Sequence, residues 1–393
     1  MRIVIYVLIL MIIYVYYKMY LREKSEGFLL KNIYEEKSKP YTVERLPQCL
    51  KTYPSNKDLM FDKIPTQYYN KYYRKNMDLL LCDFYIAGSY KSYIPCGYTN
   101  DIQSVSAIKM ALQLGARILT FDLYSQGEGL SKPEVVCRVE SPMGGDWNVA
   151  IPFEDLCKTV MTYGWNNGID YPLILYFNVH FDDQYLYQQM ARTKLNVFSE
   201  RLANKKYGFK RFPIGQIPIK ELLGTVLIIT SKYPTNGMLN ELTNEAISEE
   251  HQTTQMLEYT KANMEYGGLS ATVSNGKQMI ENNKYNLTFV YHEPEQNYGN
   301  IIQYKSDIEN YDFQDSFNYG CQSALMYYGL DDDNMKKYLQ FFRNCSFVIK
   351  PDKLRYIPQP KPKVKKQDER LSYSPKTSIY PGMDGHPWLI NKY

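Results

Sequence analysis

The sequence predicts an α/β fold, a (βα)8 TIM-like barrel with an apolar anchor ahead of it and an extended tail behind it. Three observations point there. From Leu79 onward, short apolar runs rich in β-branched and aromatic residues alternate with longer stretches of helical periodicity, the pattern of successive βα units feeding a parallel sheet. Most of the short runs are predominantly apolar, as strands covered on both faces are. At 393 residues the chain holds one barrel of about 250 residues with extensions.

The anchor comes first. Ile3 to Tyr17 is an uninterrupted run of Ile, Val, Leu, Met and Tyr, continued by Met19, Tyr20 and Leu21 past Lys18, whose ammonium can snorkel to the headgroups. The run ends in Tyr-Val-Tyr-Tyr-Lys-Met-Tyr rather than in small residues, which predicts an uncleaved transmembrane helix over 1–22 with the lipid bilayer as partner. Tyrosines at both ends fit an interfacial belt. Arg2 stands on one side and Lys18, Arg22, Lys24 and Lys31 on the other, so the positive charge predicts a single-pass protein with its main domain on the cytoplasmic side. Residues 23–78 are polar, proline-punctuated and rich in Tyr and Lys, a lead-in arm.

Barrel strands are expected at Phe84–Ala87, Ile118–Leu123, Val135–Val139, Leu173–Val179, Val226–Thr230, Leu287–Tyr291 and Ala324–Tyr328. Helical faces lie between them: Val105, Ile108, Met110, Leu112 and Leu114; then Phe153, Leu156, Val160 and Met161; then Leu186, Met190, Leu195, Phe198 and Leu202. A first barrel half thus covers 79–235 and a second 287–356, separated over 236–286 by a polar insertion or linker dominated by Glu, Gln, Asn and Thr. The tail, 357–393, opens with Pro358-Gln-Pro-Lys-Pro-Lys-Val-Lys-Lys, an extended and solvated composition, and regains aromatic character from Tyr380 to Ile390. Arm and tail are the expected contacts for protein partners.

Composition excludes several classes. With 46 basic and 42 acidic residues mixed along the chain, the net charge is only +4, and no basic stripe marks a nucleic-acid binder. The seven cysteines are scattered and form no C-x-x-C pair, so reduced, mostly buried thiols are expected. The sequons at Asn286 and Asn344 would matter only in a lumenal domain. The 39 tyrosines recur in loops and flanks as well as strands, so many are expected at surfaces.

Five segments carry a resemblance. They are Asp83 to Tyr93, which reads Asp-Phe-Tyr-Ile-Ala-Gly-Ser-Tyr-Lys-Ser-Tyr; Gly115-Ala-Arg-Ile-Leu-Thr-Phe-Asp-Leu-Tyr-Ser; Tyr171-Pro-Leu-Ile-Leu-Tyr-Phe-Asn-Val-His; Phe317-Asn-Tyr-Gly-Cys-Gln-Ser-Ala-Leu-Met; and Phe347-Val-Ile-Lys-Pro-Asp-Lys-Leu-Arg. In order and spacing they resemble the two barrel halves of the eukaryotic-type phosphoinositide-specific phospholipases C, over about Leu79 to Tyr356. The resemblance implies a barrel that cleaves a phosphodiester by attack of the inositol 2-hydroxyl, using two histidines and a calcium ion.

The same resemblance implies that the chemistry has gone. Tyr90 stands where the first histidine belongs, and a phenol with a pKa near ~10 shuttles protons poorly at neutral pH. Arg138 stands for the second, able to steady a phosphate but not to exchange protons. Among the implied calcium ligands, Lys91 replaces an asparagine, Thr120 a glutamate and Asn178 another glutamate, leaving Asp122 as the one carboxylate. Lys232 remains from a phosphate-gripping lysine pair. No catalytic residue, metal or other cofactor is therefore expected.

Other candidates have ordinary explanations. His180 and His292 follow strands near the barrel mouth, while His251 and His386 lie in the insertion and the tail. The acidic run Asp331-Asp-Asp-Asn lacks the glycine and terminal glutamate of a calcium loop and reads as a helix cap. The expectation is a membrane-anchored pseudoenzyme with a structural or scaffolding role. A virion component between inner membrane and capsid of a large DNA virus is its specific form, on the tyrosine-rich, AT-biased composition and short anchor. Two alternatives stay open: a phosphoinositide headgroup binder using Lys91, Arg138 and Lys232, and a residual metal-independent phosphodiesterase using His180 or His292.

Overall fold

A computed structural model describes residues 79–95, 103–127, 132–139, 150–165, 171–208, 212–232, 237–247, 253–259, 276–292, 309–343, 345–357, 376–381 and 387–392. Two compact units divide the chain, Met1–Tyr356 and Ile357–Tyr393. The predicted anchor over 1–22 and arm over 23–78 lie outside the described residues, among which no helix is long and apolar enough to cross a membrane.

The strands of the first unit are β1 (Phe84–Ile86), β2 (Gly88–Ser89), β3 (Ile118–Gln126), β4 (Glu134–Cys137), β5 (Ile151–Pro152), β6 (Leu173–Val179), β7 (Val226–Thr230), β8 (Glu245–Ala246), β9 (Thr254–Glu258), β10 (Leu287–Tyr291), β11 (Ser323–Met326) and β12 (Phe347–Ile349). Eight of them run parallel in the order β8-β7-β6-β3-β2-β11-β10-β9 and form a nearly closed barrel. The Thr253 hydroxyl donates to the Glu245 carboxylate across the seam between the two outermost strands.

Alternation along the strands sorts their side chains into two layers. Ile118, Ile174, Tyr176, Leu227, Ile229, Leu287, Phe289 and Leu325 pack together inside the barrel. Leu119, Phe121, Leu175, Phe177, Ile228, Val290 and Met326 face outward onto the helices. Those helices are α1 (Val105–Gln113), α2 (Phe153–Tyr163), α3 (Gln184–Phe198), α4 (Gly237–Glu241), α5 (Gly276–Asn282), α6 (Phe313–Asn318) and α7 (Asp333–Phe341). Ser104 caps α1, Asp183 caps α3, and Asp332 of the acidic run caps α7 by accepting from Met335 N at 2.7 Å.

Gly88 shows why β2 can lie so close to β11. A Cβ there would run into Ser323 Oγ and Leu325 Cδ2, so any larger residue would force those buried side chains to shift. Just before Gly88, β1 pairs antiparallel with β12, Tyr85 opposite Val348, in a separate two-stranded sheet that joins the two ends of the described part of this unit.

Four sequence expectations change here. The run expected as a barrel strand at Val135–Val139 is β4, which pairs antiparallel with the overrunning end of β3, Leu123 opposite Cys137, and with β5; apolar content alone cannot tell a returning flap from a barrel stave. The polar stretch 236–286 is no mere linker, for it supplies β8 and β9, short strands whose buried residues include Glu245 and Thr254. On α3 the buried stripe runs Leu186, Tyr187, Met190, Ala191, Lys194 and Phe198, while Leu195 is 46% exposed and Leu202 lies past the helix end. The tail, expected as extended, contains a hairpin of β13 (Lys376–Pro381) and β14 (Pro387–Lys392), with Ile379 opposite Leu389.

Many tyrosines also prove to be core residues. Tyr85 donates to Phe317 O at 2.8 Å, Tyr311 to Val290 O at 2.7 Å and Tyr338 to Ala324 O at 2.8 Å, each ring buried with its hydroxyl satisfied. The described cysteines, Cys82, Cys137, Cys157, Cys321 and Cys345, are buried free thiols.

Candidate functional site

Period-two alternation directs Thr120 and Asp122 of β3 and Tyr176 and Asn178 of β6 to the barrel interior at its C-terminal mouth, where the sites of such barrels lie. The loop after β2 brings Tyr90 to Tyr93 alongside. Thr120 is the hinge of this contact: its Oγ1 accepts from Lys91 N at 2.7 Å, its N donates to Ser92 Oγ at 3.1 Å, and its carbonyl accepts from Ser92 N at 3.0 Å.

Asp122 is the centre. It is 8% exposed, and its Oδ2 accepts from Tyr93 Oη at 2.8 Å and lies 3.7 Å from Lys91 Nζ. Its Oδ1 accepts from Asn178 Nδ2 at 2.8 Å and lies 3.5 Å from His180 Nε2. Burial pushes this carboxyl up, but the His180 hydrogen bond, the Lys91 charge, Tyr93 and Asn178 outweigh burial and hold it below the usual aspartate value. Tyr93 moves the other way: burial first, then the Asp122 charge, keep its phenol protonated as the donor.

Tyr90 joins an aromatic cluster beside this ion pair, with the Lys91 ammonium 5.5 Å from its ring centroid. Its ring stacks on Tyr291 with centroids 4.9 Å apart and meets Tyr327 edge-on at 5.3 Å, and it is only 8% exposed. Tyr176 is buried on the same inner face, and burial, then Asp122 and Tyr291, raise its phenol above the usual tyrosine value. The cluster lines the mouth with packed aromatic rings.

A second stack lines the rim. The Arg138 guanidinium lies 4.9 Å from the Tyr124 ring centroid, and Tyr124 stacks on His180 at 4.3 Å with planes 3° apart. Arg138 N donates to Asp122 O at 3.3 Å. Of the residues singled out in the sequence, Lys91, Thr120, Asp122 and Asn178 thus converge, Arg138 borders them, and the Tyr90 ring packs in the aromatic cluster with the Lys91 ammonium 5.5 Å from its centroid. Lys232 is exposed beyond β7 and joins no hydrogen bond or ion pair of the cluster; its carbonyl accepts from Thr230 Oγ1 at 2.8 Å. His292 sits with Nδ1 3.2 Å from Tyr259 O.

Sequence reasoning missed Tyr93, Tyr124, Tyr176, Tyr291 and Tyr327. The only signal for them was position: Tyr176 is two residues before Asn178 on one strand face, and Tyr93 shares the turn with Lys91. A calcium ion wants about six to eight oxygen ligands, several of them anionic. The residues present do not fit one: a single carboxylate stands among donors, with an ammonium beside it. Among the described residues no group of three or more His, Cys, Asp and Glu could hold a metal ion.

The nearly closed parallel barrel is a phospholipase C-like fold. Residues 77–232 match the phosphatidylinositol-specific phospholipase C X domain, from just before β1 to just after β7. Among solved structures the chain is similar to PLC21 of L. pealei, with 19% identity and a TM-score of 0.58 over 72% of this chain and 38% of that one. It is similar also to PLC21 of S. officinalis, with 18% identity and a TM-score of 0.57 over 72% of this chain and 38% of that one. The chain therefore spans well under half the length of either. No curated protein sequence matches it.

Proposed function

We propose that this chain is a catalytically inactive phospholipase C-like barrel that serves as a structural scaffold, tethered to a bilayer by Ile3 to Leu21 and contacting other proteins through its arm and tail. One observation carries the inactive half of the reading: the carboxylate at the mouth is engaged by Lys91, Tyr93, Asn178 and His180, while Tyr90 packs into the tyrosine cluster. Function follows the site rather than the fold, and this site supplies neither a poised proton shuttle at Tyr90 nor an oxygen cage at Lys91. The anchor rests on the apolar run at the amino terminus. Headgroup capture has weak support, since the Lys91 ammonium lies against Asp122.

A residual phosphodiesterase is the second reading, favoured by one geometric fact: His180 lies at the mouth within 3.5 Å of a buried carboxylate, as a general base with its orienting partner would. The experiment that separates the two is phosphoinositide hydrolysis by the purified full chain in mixed micelles, with calcium and with chelator. No release of inositol phosphate above the blank is expected. Turnover that disappears in His180→Ala would overturn the scaffold reading in favour of the enzyme.

A further inference from the structure

The misfit between this mouth and a calcium ion has a cause of its own. Every side-chain group aimed at Asp122 presents a hydrogen: the Tyr93 hydroxyl and the Asn178 amide at 2.8 Å, the His180 ring nitrogen at 3.5 Å and the Lys91 ammonium at 3.7 Å. A bound cation needs the opposite polarity, lone pairs converging on one point. The mouth is built around an anion already matched by a cation of the protein.

Backbone geometry supports a dedicated role for that cation. Among the described residues Lys91 is the one non-glycine residue in the left-handed region, at φ +41°. A side chain there strains the chain and persists where surrounding contacts over-determine it. Those contacts are present: Lys91 N donates to Thr120 Oγ1, Ser92 and Thr120 exchange hydrogen bonds, and Ile94 N donates to Lys91 O at 2.9 Å. All but the last tie the turn to the residue two before Asp122 on the same strand face. The strained turn thus fixes the register at which the Lys91 side chain, 9% exposed, reaches the Asp122 side chain, 11% exposed.

We infer that the Lys91 ammonium is a built-in cation that takes over the electrostatic task of a metal ion at the barrel mouth, making the folded barrel independent of divalent cations. One positive charge balances one carboxylate, and a divalent ion would have to sit beside the ammonium against like-charge repulsion. The inference goes beyond the scaffold reading. Turnover in the hydrolysis assay would sink that reading without touching this one.

The test is thermal unfolding of the full chain in detergent at neutral pH, with millimolar calcium and with chelator. The wild type is expected to unfold at the same temperature in both. Lys91→Met, which keeps the stem and removes the charge, should lower that temperature by several degrees, and adding Asp122→Asn should recover most of the loss because the pair is then neutral on both sides. Three results would overturn the inference: calcium raising the wild-type temperature, Lys91→Met unfolding with the wild type, or losses that simply add in the double variant. Should the single variant fail to fold, the double variant decides: folding supports the built-in cation, failure refutes it.

Discussion

Lys194 shows how far one residue can depart from its ordinary chemistry without a role in the mouth. It is fully buried on α3, its ammonium nitrogen has no hydrogen-bond partner among the described residues, and it lies 5.1 Å from the centroid of Phe177. Burial pulls its pKa down from 10.5 to about 7, only slightly offset by Cys157. A basic group with a lowered folded pKa binds fewer protons when folded, so between pH 7 and 10.5 stability rises with pH, and below 7 the penalty levels off. Lys194→Met should therefore stabilise the protein at pH 7 by about 1–4 kcal/mol and flatten that slope, as denaturant unfolding at pH 7 and pH 10 would show. The sequence hid this residue because α3 reads equally well with Leu195 on its apolar face; the helical period is legible, but Lys194 and Leu195 are adjacent, and packing against Phe177 decided which went inside. Asp122, Lys91 and Asn178 were legible from motif spacing. Their partner Tyr93 was not, because reach across a turn leaves no mark in a sequence.

The elements differ in how tightly they are specified. Strands β3, β6, β7 and β10 could be read from predominantly apolar runs, since each is buried over most of its length. Strands β8 and β9 could not, being short and partly polar, and the reason is their place at the barrel seam. There Glu245 accepts from Ala246 N at 3.0 Å and from the Thr253 hydroxyl, so side chains bridge where the backbone ladder is missing. Burial pushes the Glu245 carboxyl up to about 7. The raised folded pKa means its contribution is fully present below 4.5 and lost as pH climbs through 7, so Glu245→Gln should remove that decline and gain about 1–3 kcal/mol at pH 8, measured by urea unfolding against pH. At the opposite wall, Gly88→Ala should cost about 1–3 kcal/mol or more through the collision with Ser323 and Leu325, visible as a lowered urea midpoint with an unchanged slope.

The barrel unit is closed by joining its two ends. Phe84 of β1 and Phe347 of β12 meet edge-to-face at 6.0 Å, Lys350 N donates to Asp83 O at 2.9 Å, and Lys350 Nζ donates to Asn283 O at 2.8 Å and Gly320 O at 3.0 Å. Lys350 is almost wholly buried, so without these bonds three elements would lose their common donor. A chain ending at Cys345 should accordingly lose the cooperative thermal transition and bind a hydrophobic dye, whereas one ending at Tyr356 should keep the transition; calorimetry on both decides. The barrel was legible in its motifs, but this closure was not, since neither the strand at Phe84 nor the one at Phe347 announces the other as its partner. The antiparallel pairing of β1 with β12 also orders events during synthesis. The ribosome makes β1 first and β12 last among the described strands of this unit, so the open edge of β1 must wait for all the barrel strands to emerge, and the interval before closure is when a chaperone has work to do.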